Sequence, residues 1–182
     1  MSGKVPNMNP ISRIYLTGFM GSGKSTLGMR LADETGFTFL DLDEEVENRL
    51  GMSIPEIFDR SGERLFRMAE AEALTASFRA ERAVIAVGGG ALVSGDAMEQ
   101  ALQHGLVVYL SATEETLRKR LQASDVERPL LHGGVGLKSL LESREPAYRR
   151  AHIVIPVDGL GVEDAVAALV EAIRSYSGTE GA

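Results

Sequence analysis

Cysteine is absent from the 182 residues, so neither a disulfide nor a thiolate metal site holds this fold, and the chain suits a reducing compartment. Long apolar runs are missing too. None approaches the length of a membrane span, and residues 1–10 lack the apolar segment of a secretory signal. Positive charge is in deficit: the formal net charge is −7, without the basic footprint that general nucleic-acid binding requires. Lysine is the scarce cation, four against fifteen arginines. Arginine's planar fork suits carboxylates and phosphates, but GC-rich coding gives the same excess, so particular arginines matter more than their number. No repeat or low-complexity tract occurs. The length fits one domain with one substantial core, and 44% hydrophobic with 25% charged residues is ordinary globular composition. These absences lead to the expectation of a soluble cytoplasmic protein, loose at residues 1–10 and 178–182.

What is present is concentrated first at Gly18-Phe19-Met20-Gly21-Ser22-Gly23-Lys24-Ser25. The run fits G-x-x-x-x-G-K-[ST], the phosphate-binding loop of nucleotide-triphosphate enzymes. Its context fits as well: Ile14-Tyr15-Leu16 reads as a buried strand before it, and Leu27 and Leu31 mark a helix over 26–34 after it. Glycines let backbone N–H groups wrap phosphate oxygens, and the following helix N-terminus adds favourable partial charge. The pattern therefore assigns nucleotide binding to Gly21, Ser22, Gly23, Lys24, Ser25 and Thr26. Lys24 reaches the β- and γ-phosphates and the Ser25 hydroxyl ligates Mg²⁺.

Further along, residues 37–40 read as a second strand ending in Asp41-Leu42-Asp43, with a helical block over 44–50. Ser53-Ile54-Pro55-Glu56 has capping-box spacing with proline in the first turn. A long helix is expected over 61–80, a strand over 83–87 running into Gly88-Gly89-Gly90, and a helix over 96–104. Then come a strand over 106–110, a helix over 113–122 behind a threonine cap, and a polar turn-prone segment over 123–136 centred on Arg128-Pro129. The last elements are a helix over 137–151 that Pro146 kinks or breaks, a strand over 153–155 and an amphipathic helix over 162–175. Five short apolar strands alternating with helices imply an α/β fold: a three-layer α/β/α domain around a five-stranded parallel sheet. Ligands of such sheets bind beyond the carboxyl ends of the strands, where the phosphate loop, Asp41/Asp43 and Gly88–Gly90 all fall.

Asp41 and Asp43, two apart at a strand end, point to one side if both are extended, one toward a Mg²⁺ shell and one toward a substrate hydroxyl. By themselves such a pair is more often a solvated turn or a helix cap; the place opposite the phosphate loop favours function. Three consecutive glycines exceed what a turn needs and indicate close approach of a ligand. Arg67 and Glu70, at i and i+3, read alone as a surface ion pair. Arg128 reads either as part of an exposed loop or as a cation delivered to a transferring phosphoryl group by loop closure.

Together these segments resemble the shikimate kinase family. The resemblance runs from about residue 13 to 175. It is carried by the phosphate loop with Thr26, Asp41-Leu42-Asp43, Ser53-Ile54-Pro55-Glu56-Ile57-Phe58, and Gly62-Glu63 with Phe66-Arg67 and Glu70. Gly88-Gly89-Gly90, Arg128-Pro129-Leu130-Leu131 and Arg144 with Tyr148 complete it. It implies the nucleoside-monophosphate-kinase variant of the P-loop fold in a single domain, with a substrate-binding segment over about 41–70 and a mobile lid over about 123–136. It implies transfer of the ATP γ-phosphate to the 3-hydroxyl of shikimate by a monomeric enzyme. Lys24, Asp43 and Arg128 carry the catalytic roles, and Ser25 with Asp41 serves Mg²⁺. Arg67, Arg144, Gly88, Gly89, Gly90 and Asp43 hold shikimate, Glu70 orients Arg67, and Tyr148 joins Arg144 as a ligand. Ile54, Phe58 and Phe66 form an apolar wall. Arg120 stacks on adenine, with Arg118 and Lys119 as competitors.

Two other readings stand beside it. A kinase of another small hydroxy acid such as gluconate would use the same arginines. A nucleotide-dependent switch would need no acceptor, but the chain lacks the Asn-Lys-x-Asp guanine-recognition motif. His104, His132 and His152 imply no catalytic pairing.

Overall fold

A computed structural model describes residues 11–123 and 136–179. Five strands, β1 (Arg13–Thr17), β2 (Thr38–Asp41), β3 (Ala83–Ala86), β4 (Leu106–Ser111) and β5 (Ile153–Pro156), form one sheet. Seven helices connect or follow them: α1 (Lys24–Thr35), α2 (Leu42–Leu50), α3 (Ile54–Ser77), α4 (Ala97–His104), α5 (Glu114–Gln122), α6 (Leu137–Tyr148) and α7 (Val162–Thr179). All four strand pairings are parallel, in the order β2-β3-β1-β4-β5.

The period-2 alternation of the strands makes the two faces. Along β1, Ile14 and Leu16 face a cluster with Leu27 and Leu31 of α1 and Leu169 and Ile173 of α7. Tyr15, between them, faces the opposite cluster with Leu42, Val46, Ile57, Leu74 and Met98 of α2, α3 and α4. Burying each such large apolar side chain stabilises the fold by about 1.5–3 kcal/mol. Both faces are covered, so the strands read as near-continuous apolar runs rather than alternating ones.

The connection after β1 leads away to the β2 edge, whereas the one after β3 crosses to β4, so the chain diverges between these neighbouring strands. That divergence opens a crevice at their carboxyl ends. The phosphate loop follows β1 and the triglycine follows β3, and the two segments lie side by side. Among the described residues, no helix is long and apolar enough to cross a membrane.

Several element boundaries differ from the sequence expectation. Asp41 ends β2 and caps α2, its side chain accepting the Asp43 N–H at 3.0 Å. Asp43 is therefore in the first helical turn rather than in extended chain, because a capping carboxylate starts the helix at once. The expected capping box at Ser53 and Glu56 is formed, with Pro55 in the first turn, and it opens α3 ahead of the long helix expected from 61. Gly62, at φ 76° and ψ 170°, then turns the chain before the segment bearing Arg67 and Glu70, a conformation that disfavours any residue with a Cβ. Pro146 sits in the last turn of α6 without ending it early; the helix stops at Tyr148. Gly178 and Thr179, expected loose, belong to α7. The segment assigned as a lid, Arg128 included, lies outside the described residues apart from Ala123 and Gly136.

Candidate active site

The phosphate loop is built as its glycines require. Gly21 and Gly23 adopt φ of 80° and 96°, in the left-handed region, and Gly23 caps α1. Lys24 Nζ donates to the carbonyls of Gly18 at 2.9 Å and Phe19 at 3.1 Å, so the loop folds around its own lysine. Leu117 and Leu121 of α5 pack behind Gly21, where an added Cβ would lie 3.3 Å from Leu121. Ser25 Oγ donates to Asp41 Oδ2 at 2.5 Å, which joins the start of α1 to the end of β2. This pair of hard oxygen groups suits Mg²⁺, which binds few protein ligands and keeps waters and phosphate oxygens. No group of three or more His, Cys, Asp or Glu fit to hold a metal occurs among the described residues. The donor set therefore fits an ion shared with a nucleotide rather than one held by the protein alone.

A cavity of about 580 Å³ runs from this loop past Asp41 and Asp43 to Arg67, Glu70, Gly89, Gly90 and Arg144. The phosphate-loop residues from Gly21 to Thr26 line one end. Ile54, Phe58 and Phe66 form an apolar wall at the other, the two phenylalanine rings 5.1 Å apart. Thus the structure brings together the described residues that the sequence singled out for nucleotide, metal or substrate, except Tyr148, and with Gly88 behind the cavity surface rather than among its lining.

Arg67 is held on two sides. Its Nη1 donates to Glu70 Oε2 at 2.8 Å, and its Nε and Nη2 donate to Glu63 Oε1 at 3.1 and 3.0 Å. Burial alone would lower the guanidinium pKa, but Glu70 and Glu63 outweigh it and raise the value above its ordinary level. Glu70 is 3% exposed, and burial pushes its carboxyl pKa up against the pull of Arg67, with Asp43 adding to the rise. Its Oε1 is buried without a hydrogen-bond partner among the described residues. The isolated reading of Arg67 as a surface ion pair is corrected: its partner is buried and its guanidinium lies against the backbone of Gly90.

None of the three glycines has a positive φ, and at Gly88 and Gly90 what glycine supplies is space. A Cβ on Gly88 would lie 2.6 Å from Glu70 Oε1 and 2.7 Å from Asp43 Oδ1. One on Gly90 would lie 2.6 Å from Arg67 Nη1. Arg144 is 6% exposed and donates to the Gly89 carbonyl at 3.1 Å, with its guanidinium 5.7 Å from the Phe19 ring centre. Glu70, Asp43 and Arg67 thus close on Gly88 and Gly90 where a Cβ would stand. Tyr148, read as a ligand alongside Arg144, shows no exposure and does not line the cavity; its hydroxyl donates instead to the Gly89 carbonyl.

At the nucleotide end, Arg120 lines the cavity and donates to the carbonyls of Val157 at 3.1 Å, Ser22 at 3.3 Å and Gly21 at 3.4 Å. Arg118 and Lys119 instead form exposed pairs with Glu114 and Glu115 and lie outside the cavity lining. Opposite the phosphate loop, Leu160 and Val162 offer half-exposed aliphatic surface. Asp158 anchors their loop to α5, accepting the Thr113 N–H at 2.9 Å and its hydroxyl at 2.7 Å. Burial opposes charge on Asp158, but hydrogen bonds from Thr116 and Thr113, together with Arg120, hold its pKa below the usual range. The sequence reading passed over this segment. Its position just past the fifth strand carried the signal, through the same strand-end rule applied to the first three. His104 stacks on Phe78 with ring centres 4.1 Å apart, His152 Nδ1 accepts the Val107 N–H, and neither lines the cavity.

A parallel sheet with a phosphate loop at its centre, two carboxylates beside that loop and two arginines lining the same cavity beyond them have the arrangement of a P-loop kinase. Relatives narrow the class. The family model for shikimate kinase matches residues 20–174. A shikimate kinase of Thermus thermophilus is 40% identical over 176 residues, covering 95% of this chain and 96% of that one. A solved structure of shikimate kinase from Acinetobacter baumannii in complex with shikimate superposes with a TM-score of 0.85 at 37% identity, over 92% of this chain and 95% of that one. A gluconokinase from Sinorhizobium meliloti reaches a TM-score of 0.64 at 18% identity, over 92% of this chain and 94% of that one, a likeness of fold alone. The chain belongs to the shikimate kinase family and is an ATP-dependent kinase that phosphorylates a hydroxyl group.

Proposed function

We propose that the protein transfers the γ-phosphate of ATP to the 3-hydroxyl of shikimate, with the site residues in the following roles. The observation that carries this reading is the single cavity that joins the phosphate loop to the Arg67–Arg144–triglycine subsite with Asp43 between them. Lys24, the loop amides of Gly21, Ser22 and Gly23, and Thr26 hold the phosphates, and Arg120 faces the adenine. Ser25 and Asp41 hold Mg²⁺, which when bound neutralises charge on the β- and γ-phosphate oxygens. Arg67 and Arg144 take the carboxylate of shikimate as charge-assisted forks, and Ile54, Phe58 and Phe66 cover its ring. Asp43 accepts the proton of the reacting hydroxyl. That oxygen bonds to the γ-phosphorus as the bond to the β–γ bridging oxygen breaks, leaving ADP. Loose phosphoryl transfer asks little of a base, so positioning and charge neutralisation carry most of the acceleration. Residues 41–70 form the substrate-binding segment of one domain. The reading takes the enzyme as a monomer in the cytoplasm.

Arg67→Lys should raise the KM for shikimate about 10- to 100-fold, the loss of charge-assisted hydrogen bonds that an ammonium cannot reproduce as a fork, and leave the KM for ATP within about twofold. Steady-state kinetics with each substrate varied checks the split. The regiochemistry is tested by phosphorus–proton correlation in the product from ATP and shikimate. Coupling of the new phosphorus to the proton on C3 is expected; coupling to C4 or C5 would overturn the assignment of the reacting hydroxyl.

A further inference from the structure

The Gly89–Gly90 peptide has different neighbours on its two sides. On one side the Gly89 carbonyl accepts from Arg144 Nη1 at 3.1 Å and from the Tyr148 hydroxyl. Tyr148 is fully buried, its ring centre 5.2 Å from that of Tyr109, in an apolar cluster with Phe19, Met20 and Leu117. A trans peptide points the following N–H away from its carbonyl. Drawing the Gly89 carbonyl toward the Tyr148 cluster therefore turns the Gly90 N–H the other way. Gly89 and Gly90 line the cavity together with Arg67 and Arg144, and the Arg67 guanidinium stands 2.6 Å from where a Gly90 Cβ would lie.

We propose that Tyr148 is a positioning residue: its hydroxyl pins the Gly89–Gly90 peptide so that the Gly90 N–H stands as a fixed donor to the substrate carboxylate, between Arg67 and Arg144. This rests on the shikimate reading above. A glycine–glycine peptide has little steric resistance to rotation, because neither residue carries a Cβ. Rotated by half a turn, it would present a carbonyl oxygen to the carboxylate and repel it. Arg144 alone is a weak guard against this, since the bound carboxylate competes for the same guanidinium that donates to Gly89. Tyr148 faces no such competition, being closed off from the cavity. Burial raises its pKa to about 12, with Arg144 pulling the other way, so the hydroxyl keeps its proton and always donates.

Tyr148→Phe removes the donor and keeps the packed ring. The expected result is a five- to twentyfold rise in the KM for shikimate, the size of one hydrogen bond's loss of alignment, with the KM for ATP unchanged. The Gly90 amide nitrogen shift of the substrate-free protein should move as well, because its peptide partner loses a hydrogen bond. A purely structural role would lower the unfolding midpoint and move both KM values together; that pattern would overturn the assignment. An unchanged KM for shikimate with an unmoved Gly90 amide would overturn it too. If the wild-type enzyme gives no shikimate-dependent ADP release, the substrate reading fails instead, and the Gly90 amide shift still decides whether Tyr148 pins the peptide.

Discussion

Asp43→Asn should lower kcat by about 10²- to 10³-fold, the usual contribution of a positioned proton acceptor, while the KM for ATP stays within about twofold. The residue stands in the first turn of α2, where the helix N-terminus favours a negative charge. Its Oδ1 lies over Gly88, and the side chain lines the cavity between the phosphate loop and Arg67 and Arg144. Asparagine keeps the shape but accepts no proton from the attacking hydroxyl. It also presents an amide donor, or a weaker acceptor, where the carboxylate stood. The nucleotide end is untouched, because the Asp43 N–H that completes the cap comes from the backbone. Measured kcat near that of the wild type would remove Asp43 from the chemistry and leave the arrangement to work by positioning alone.

Gly88→Ala should reduce kcat/KM for shikimate by about a hundredfold, the scale of an ångström's misplacement of reacting groups, with a small change in unfolding midpoint. The added Cβ would meet the carboxylate oxygens of Glu70 and Asp43 at 2.6 and 2.7 Å. Both atoms are side-chain ends, so the fold accommodates the methyl by moving them. The displacement falls on Asp43, the proposed partner of the reacting hydroxyl, and on Glu70, which holds Arg67. The backbone of Gly88 does not need a positive φ, so alanine meets no conformational strain there. Catalysis and stability therefore separate: kinetics together with a thermal melt distinguish this outcome from simple unfolding. A variant with full activity would show that the two carboxylates can retreat without consequence.

The phosphate loop was legible because its constraint is local: glycine conformations, a lysine and a hydroxyl at fixed spacing between a strand and a helix. The five strands were legible for the same reason, each a short apolar run with turn residues after it. Asp41 and Asp43 were found but their geometry was misread, since a carboxylate at a strand end can extend the chain or cap the next helix, and here Asp41 caps. The triglycine was flagged as a place of close approach, yet what approaches in this structure is Asp43, Glu70 and Arg67, contacts between residues far apart in sequence. Arg67 illustrates the limit most plainly. Its pairing with Glu70 follows from helical spacing, whereas the burial of Glu70 and the seat against Gly90 depend on how α3 packs beside the end of β3. Of the sequence signals, only the family pattern points Arg67 toward the substrate. Tyr148 shares a helix face with Arg144, but at the end of α6 that face divides between the cavity and the apolar cluster behind it, and Tyr148 falls on the buried side. The Asp158 anchor to Thr113 joins two chain segments with no pattern linking them.

The most direct test of the central claim is ADP release by the purified protein with ATP and Mg²⁺, compared across shikimate, quinate, gluconate and no added acceptor. The account predicts strong release with shikimate and background release with the others, because the proposed reading sets the shikimate carboxylate on the two arginines, its ring against the apolar wall of Ile54, Phe58 and Phe66, and its 3-hydroxyl at Asp43. Release driven by gluconate or quinate, with none from shikimate, would contradict it.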